Sequence, residues 1–423
     1  MLQLNTTSLN LLDNTFYGFD IAQINEFGLY ANQLFQKNKV WQQQGFCDII
    51  FDPSIVKDIE DRTQKFQEYI ADIVILGIGG SMLGVQAIMD ALYHTKEIQK
   101  FKIHYVDNID PVLINNISKK LNLEKTLFLV QTKSGGTPET LAQYFYFENL
   151  IMNANFELQD HFVFITDPEI GYLRELANNN DGIVTFPVPE NVGGRFSVLT
   201  SIGLVISVIV GLDAQQMLNG AKQVLENQKS DACKLAMIQT KLLSEGINQC
   251  VFMPYCSQLA TIAKWYIQLL SESIGKEVNL DNLVVNSGIT PIPSVGATDQ
   301  HSQMQLFKEG PNDKLIIFTE VLEPSTDLTI TQKNIPGFEY LRNVTFGELI
   351  KAELKATTLS LVESERPNLT IEIDKINEKS LGELFMLLQL SVAYIGEILE
   401  INTFDQPGVE RSKVLTREIL SGK

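Results

Sequence analysis

The sequence predicts an α/β protein of two domains, each a mainly parallel sheet flanked by helices. Three observations carry this prediction. The chain has 423 residues, more than a single hydrophobic core usually organises. From Asp72 onward, strand-like apolar runs alternate with helical patterns, which is typical of parallel sheets. A second series begins after Gly211, so we predict one domain over residues 1–211 and another over 212–423, the second ending in a helical tail that carries Lys413.

The first series contains five strand-like runs with helical patterns between them. The runs are IVILGIG (73–79), FKIHYVD (101–107), TLFLVQT (126–132), HFVFITD (161–167) and GIVTFPV (182–188). The predicted helices contain Leu83 to Leu92, PVLINNISKKL (111–121), a segment starting near Thr137, and GYLRELANN (171–179). Residues 1–70 show no such regularity and are predicted to be helices and loops.

The second series is less regular. Its strand candidates are CVFMPY (250–255), NLVVNSG (282–288), KLIIFTEV (314–321) and LTIEI (369–373). Helices are predicted at Ser257–Ser273 and Ser380–Leu399. Residues 320–341 are rich in turn-forming residues, and we expect them to leave the sheet.

Composition limits the class of partner and the compartment. The net charge of −18 disfavours nucleic acid and anionic membranes as main partners, and a phosphorylated ligand would need a local positive site. Four cysteines without a CxxC pair, and an N-terminus without a signal-peptide pattern, favour the cytoplasm. The apolar stretch Ile202–Leu212 is shorter than the roughly 20 residues a membrane span needs. None of the four histidines forms a metal-binding motif, so we expect no metal site.

Two glycine-containing loops should meet at the carboxyl edge of the first sheet, where open α/β folds bind ligands. Gly77–Gly84 includes Gly80 and Ser81 ahead of a helix, and it also fits a tight turn without a ligand. Gln131–Thr140 offers the donors of Thr132, Lys133, Ser134 and Thr137, although these hydroxyls could equally cap the helix. Two such loops at one edge predict a phosphate site.

Three later segments give the chain a resemblance to a known family. They are ENVGGRFSV (190–198), SESIGK (271–276) and INTFDQPGVERSK (401–413). Together with the two loops they resemble the signatures of the phosphoglucose isomerase family in its compact bacterial form, from about Asp72 to Lys413. The resemblance implies two sugar-isomerase (SIS) domains. It also implies a cofactor-independent enzyme of glycolysis and gluconeogenesis that interconverts glucose 6-phosphate and fructose 6-phosphate through a cis-enediol.

The resemblance also implies residue roles. Glu272 would shuttle the proton between C1 and C2, with Gln268, one helical turn earlier on the same face, contacting phosphate. Arg195, beside Gly194, would stabilise the charge of the enediolate, a role suited to a permanently ionised guanidinium. A solvated glutamate, and an arginine that satisfies loop carbonyls, are the alternatives for the two charged residues.

Ring opening needs a further acid or base. By resemblance, His301 in the segment GATDQHS (296–302) serves the ring oxygen and comes from the neighbouring subunit, so a homodimer is implied. Lys413 would assist it, and Gln406 would contact phosphate. Since Pro407 can begin a helix, Gln406 and Lys413 would lie near one face of it. The remaining histidines, His94, His104 and His161, are expected to be structural.

The chain departs from the family pattern at three positions. Gly136 stands where many relatives carry a hydroxyl residue in the phosphate loop, and Thr132 replaces the more common serine. Ile274 occupies a position that is usually polar or acidic. Two other functions stay open. One is an isomerase that also accepts mannose 6-phosphate, and the other is a sugar-phosphate sensor without catalysis, which the presence of all four reacting residues disfavours.

Overall fold

The protein is described by a computed structural model that covers residues 2–10, 33, 44–96, 99–180, 182–227, 229–332 and 336–422. Its first sheet is wholly parallel, with strand order β3-β2-β4-β5-β6. The strands are β2 (Asp72–Leu76), β3 (Lys102–Val106), β4 (Thr126–Thr132), β5 (Phe162–Thr166) and β6 (Val184–Pro187). Each predicted strand of the first series is confirmed.

The central strands of this sheet are buried along their whole length, because helices cover both faces. In β4 and β5 every residue is buried, which explains why these runs read as continuously apolar. The helices between the strands are α4 (Leu83–Ile88), α5 (Pro111–Ser118), α6 (Pro138–Asn153), α7 (Leu158–His161) and α8 (Tyr172–Asn178).

The second sheet has the order β1-β12-β11-β7-β10 and is parallel except at one edge. Its strands are β1 (Leu2–Asn5), β7 (Gln249–Pro254), β10 (Thr290–Pro293), β11 (Lys314–Val321) and β12 (Asn368–Ile373). The expectation of helices and loops up to residue 70 was wrong for β1, which pairs antiparallel with β12. The strand β1 lies before residue 211 yet joins the second sheet, and the proposed domain division at that residue stays a prediction.

The run NLVVNSG does form a strand, but not one of the second sheet. Strand β9 (Val284–Ser287) instead pairs antiparallel with β8 (Lys276–Val278) in a separate two-stranded ribbon. The next segment, β10, takes the edge position beside β7. An edge strand tolerates Pro291 and Pro293, which cannot donate a backbone hydrogen bond.

Helices fill the space between the two sheets and around them. The remaining ones are α1 (Thr7–Asn10), α2 (Gly45–Asp48), α3 (Ile55–Thr63), α9 (Ser201–Ile209), α10 (Ala214–Asn227), α11 (Lys229–Ser244), α12 (Ala260–Ile274), α13 (Met304–Glu309), α14 (Phe346–Glu363), α15 (Glu378–Ile398) and α16 (Glu410–Leu420). Residues 320 and 321 still belong to β11, and the described residues 322–332 and 336–341 leave the sheet as expected.

One large apolar core joins the two halves. It contains inward-facing residues of both sheets, such as Ile75 of β2 and Ile317 of β11, together with α9, α12 and α15. The helix α15 is long and apolar enough to span a membrane, but 94% of its apolar window is buried inside the protein, as expected of a core helix. Because both sheets pack on this core, α12 lies beside the loops at the carboxyl edge of the first sheet.

Candidate active site

A cavity of about 710 Å³ lies at the carboxyl edge of the first sheet, between its loops, α12 and the C-terminal segment. Its volume falls in the range of about 300–1,000 Å³ that is usual for small-molecule sites. The cavity is lined by all the predicted site residues except His301, namely Gly80, Ser81, Thr132, Lys133, Ser134, Thr137, Gly194, Arg195, Gln268, Glu272, Gln406 and Lys413.

The loop after β4 forms a cluster of hydroxyl groups on one wall. The Thr132 hydroxyl lies 2.7 Å from the Thr137 hydroxyl, and the Ser134 hydroxyl lies 3.4 Å from that of Thr137. Thr137 has an extended backbone and precedes Pro138, the first residue of α6, as the sequence predicted. The free N–H groups of this helix end and the hydroxyls together suit an oxyanion.

Lys133 brings a positive charge to the same loop. Its ammonium group donates a hydrogen bond to the Glu190 carbonyl oxygen at 2.9 Å. Burial lowers the pKa of the Lys133 ammonium, while the charges of Asp167 and Glu190 oppose this shift. The lysine is therefore fixed against the wall of the cavity.

The loop after β2 approaches the GGRFS segment so closely that only glycine fits. A Cβ atom at Gly80 would lie 2.4 Å from the carbonyl carbon of Gly194. The hydroxyl of the neighbouring Ser81 makes no hydrogen bond with the described residues, and Ser81 lines the cavity. The two segments thus form one continuous wall, with a donor available to a ligand.

Glu272 lies near the end of α12, with its side chain 32% exposed and turned into the cavity. The amide of Gln268, one turn earlier, donates to the Glu272 carboxylate at 3.0 Å. The side-chain amide oxygen of Gln268 is buried and has no hydrogen-bond partner among the described residues. The pair therefore provides a carboxylate whose position is fixed by a neighbouring amide.

Arg195 is buried, 2% exposed, and it connects the parts of the cavity. Its guanidinium lies 3.5 Å from the Glu272 carboxylate and donates to the Gln406 side-chain oxygen at 2.9 Å and to the Ser273 hydroxyl at 2.7 Å. It also donates to the carbonyl oxygens of Thr403 and Asp405. Burial lowers the pKa of Arg195, whereas Glu272 and Asp405 oppose this shift. Arg195 therefore satisfies loop carbonyls, which was the alternative reading of the sequence, and it also lines the cavity, while its role toward an enediolate stays a prediction.

Lys276 is a second buried cation behind the cavity, and sequence reasoning assigned it no role. Its ammonium group donates to the carbonyl oxygens of Glu272 at 2.8 Å and Asp405 at 2.6 Å, and it lies 3.1 Å from the Asp405 carboxylate. Burial, followed by repulsion from Arg195, lowers the pKa of Lys276. The sequence offered one indication of its importance, since Lys276 ends the SESIGK segment that carries the family resemblance.

The C-terminal segment closes the opposite side of the cavity. A 3-10 turn at Pro407–Val409 leads into α16, so the helix begins slightly later than Pro407. Gln406 and Lys413 both line the cavity, and the Lys413 ammonium group lies 2.6 Å from the Glu410 carboxylate.

His301 does not reach this cavity within one chain. It is exposed, at the end of a 3-10 turn over Thr298–His301. The other histidines make structural contacts: His104 with Asp72 at 2.8 Å, and His161 with the Thr126 carbonyl oxygen at 2.8 Å. Across the described parts of the chain, no group of three or more His, Cys, Asp or Glu side chains is arranged to hold a metal ion.

Comparisons with known proteins agree on one family. The family model described as phosphoglucose isomerase matches residues 58–423. A glucose-6-phosphate isomerase of Carboxydothermus hydrogenoformans is 41% identical over 382 residues, which cover 86% of this chain and 82% of that protein.

Two solved structures share the fold. A hypothetical protein of Thermus thermophilus superposes with a TM-score of 0.89 at 32% identity, over 100% of both chains. A glucose-6-phosphate isomerase of Chlamydia trachomatis has a TM-score of 0.81 at 20% identity, over 94% of this chain and 85% of that one. The sequence and family-model matches cover most of the chain, and the chain therefore belongs to the phosphoglucose isomerase family.

Proposed function

We propose that this protein is a glucose-6-phosphate isomerase, which interconverts glucose 6-phosphate and fructose 6-phosphate. One observation carries the proposal: the Glu272 carboxylate lines the same cavity as the hydroxyl cluster of Thr132, Ser134 and Thr137. An anion-binding wall and a carboxylate in one cavity are what a base acting on a sugar phosphate requires.

The phosphoryl group would lie against the loop after β4. The hydroxyls and the N-terminal N–H groups of α6 donate hydrogen bonds to its oxygens, and Lys133 supplies charge. Ser81 adds a hydroxyl from the loop after β2, and Gln406 an amide from the C-terminal segment. Holding the phosphoryl group fixes the other end of the sugar near Glu272, which reduces the entropy cost of proton transfer.

Glu272 would then remove the proton from C2 of the open-chain aldose and return it to C1, through a cis-enediol. Gln268, which donates to this carboxylate, holds it in one orientation. The Arg195 guanidinium, 3.5 Å away, would stabilise the negative charge that develops on the enediolate oxygen. This chemistry uses no cofactor.

The sugar ring must open before this step, and we assign that proton transfer to His301 of a second protomer, assisted by Lys413. A homodimer is supported by exposed apolar side chains in the β8–β9 ribbon and near His301. The exposed side chains are Val278, Leu280, Leu283, Val284, Val285 and Leu306. An apolar surface of this kind is typical of a subunit interface.

We place the enzyme in the cytoplasm, in glycolysis and gluconeogenesis, with a sugar phosphate as its partner. The net charge of −18 disfavours both nucleic acid and an anionic membrane as a binding partner. Mannose 6-phosphate differs from glucose 6-phosphate only in the configuration at C2. A coupled assay with mannose 6-phosphate as the substrate tests whether the enzyme accepts both sugars.

Glu272→Gln tests the proposal. In a coupled assay with fructose 6-phosphate and a metal chelator, we expect kcat to fall by about 10²–10⁴-fold, since the general base is lost. The inhibition constant of a phosphorylated competitive inhibitor should stay unchanged, because the phosphate wall is intact. Glu124→Gln is the matched control, because Glu124 is exposed, precedes β4 at the opposite edge of the first sheet and does not line the cavity. An unchanged kcat in the Glu272 variant would refute the assignment.

A further inference from the structure

The helix α16 presents one face to the cavity beyond Lys413. The lining residues of this helix and its end follow the helical repeat, being Ser412, Lys413, Thr416, Arg417, Leu420 and Ser421. Arg417 lies one turn after Lys413 on this face. Arg417 thus lines the same cavity as the hydroxyl cluster.

The other cations of the cavity already have protein partners. Arg195 lies against Glu272 and Gln406, and Lys133 donates to the Glu190 carbonyl oxygen. Lys413 pairs with Glu410 at 2.6 Å. The Arg417 guanidinium, in contrast, makes no hydrogen bond or ion pair with the described residues, so its donors are available to a ligand.

We propose that Arg417 is a further substrate-binding residue, which contacts the phosphoryl group of the substrate from the C-terminal helix. The inference rests on the proposed function and goes beyond it, because Arg417 lies outside the FDQPGVExxK pattern.

Charge and geometry both support this assignment. The protein carries a net charge of −18, and Glu139 adds a carboxylate to the cavity wall, so a dianionic ligand meets an unfavourable field. A cation without a protein partner offsets this field. The fork of N–H donors on a guanidinium also matches two phosphoryl oxygens, which an ammonium group cannot do.

The test compares Arg417→Ala with Arg411→Ala. Arg411 lies on the same helix but away from the cavity, is 69% exposed, and lies 3.7 Å from Glu418. For R417A we expect the KM for fructose 6-phosphate and the inhibition constant of inorganic phosphate to rise about fivefold each, with kcat within about twofold. R417K should lie between R417A and wild type. R411A should leave both constants at the wild-type values.

Equal constants in R417A and R411A would overturn the inference, as would a lower kcat in R417A with an unchanged inhibition constant. If the wild-type protein shows no isomerase turnover, the proposed function fails instead. In that case, calorimetric titration with inorganic phosphate tests the role of Arg417 independently of catalysis. Weaker phosphate binding to R417A than to wild type supports the inference, and equal binding overturns it.

Discussion

The side chain of Arg195 is a buried charge that protein groups hold in place beside the cavity. A guanidinium that is 2% exposed is stabilised only when its donors are satisfied, and here five protein groups accept from it or pair with it. Two of these groups, Glu272 and Gln406, line the cavity. Its position relative to the carboxylate is therefore determined before any substrate binds, which is the condition for electrostatic catalysis.

Gly136 is the position where a hydroxyl could be added to the phosphate loop. A Cβ atom there would meet only the Ser134 carbonyl oxygen, at 3.8 Å. We expect Gly136→Ser to fold normally and to lower the KM for fructose 6-phosphate about fivefold, because one added neutral hydrogen bond contributes about 1 kcal/mol. Steady-state kinetics measure the change.

Gly135→Ser is the control for that substitution. Gly135 has φ +63°, and a Cβ atom there would lie 3.0 Å from the Thr166 hydroxyl oxygen. This variant should lower the melting temperature and raise KM, since a non-glycine residue is strained in this conformation. Equal effects of the two substitutions would contradict the view that position 136 alone has room for a side chain.

Lys133 gives a prediction for pH. Burial lowers the pKa of the Lys133 ammonium below the ordinary 10.5, so its positive charge is lost at a lower pH than that of an exposed lysine. Phosphate binding should weaken as this charge is lost, so kcat/KM falls on the alkaline side. When kcat/KM of the Lys133→Arg variant is normalised to its value at pH 7, the alkaline fall in kcat/KM should begin at a higher pH than in wild type, because a guanidinium stays ionised. Coincident alkaline profiles would exclude Lys133 as the titrating group.

At the scale of elements, Lys276 connects the end of α12 to the loop at residues 403–406. We expect Lys276→Met to lower the free energy of unfolding by about 1–2 kcal/mol, because carbonyl oxygens of Glu272 and Asp405 lose a donor. The Asp405 carboxylate is 45% exposed, so water replaces part of its interaction. KM should also rise, since Gln406 follows Asp405.

Urea unfolding and steady-state kinetics measure both effects of the Lys276 substitution. Lys241→Met removes an exposed pair with Glu245 on α11 and should cost less than about 0.5 kcal/mol. If the two methionine variants proved equally stable, the buried hydrogen bonds of Lys276 would not contribute to the fold as argued.

The elements that could be predicted from sequence are those whose signal is local. Buried strands of the first sheet are uninterrupted apolar runs, and Pro138 marks the start of α6. The strand β10 contains two prolines, and β1 has four residues, so neither pattern suggests a strand. NLVVNSG reads as a strand, but its partner depends on the chain path, which local pattern does not contain.

The same limit applies to the site. The two glycine-containing loops of the cavity wall have a recognisable composition, and the other site residues were predicted from the family resemblance. The partners of Arg195, in contrast, lie up to 211 positions away. Ser273, Thr403 and Asp405 contact it through the packing of α12 against the C-terminal segment. No spacing in the sequence encodes those contacts, and they were found only in the structure.

At the scale of the whole molecule, one chain supplies the carboxylate and phosphate wall but leaves His301 exposed and away from the cavity. In a two-fold symmetric dimer each site would combine Glu272 of one protomer with His301 of the other. A protomer pair carrying Glu272→Gln in one chain and His301→Ala in the other then has one site with both substitutions and one with neither.

Mixing the two inactive variants should therefore restore activity. If equal amounts of E272Q and H301A are dissociated in mild denaturant and allowed to reassociate, about half of the dimers are mixed, and each contains one intact site. The mixture should reach about one quarter of the activity of wild-type protein treated in the same way. Each variant treated alone is the control. Two affinity tags verify that mixed dimers have formed. If their activity is then no higher than that of the separate variants, either both residues belong to the site of the same protomer or His301 takes no part in the reaction.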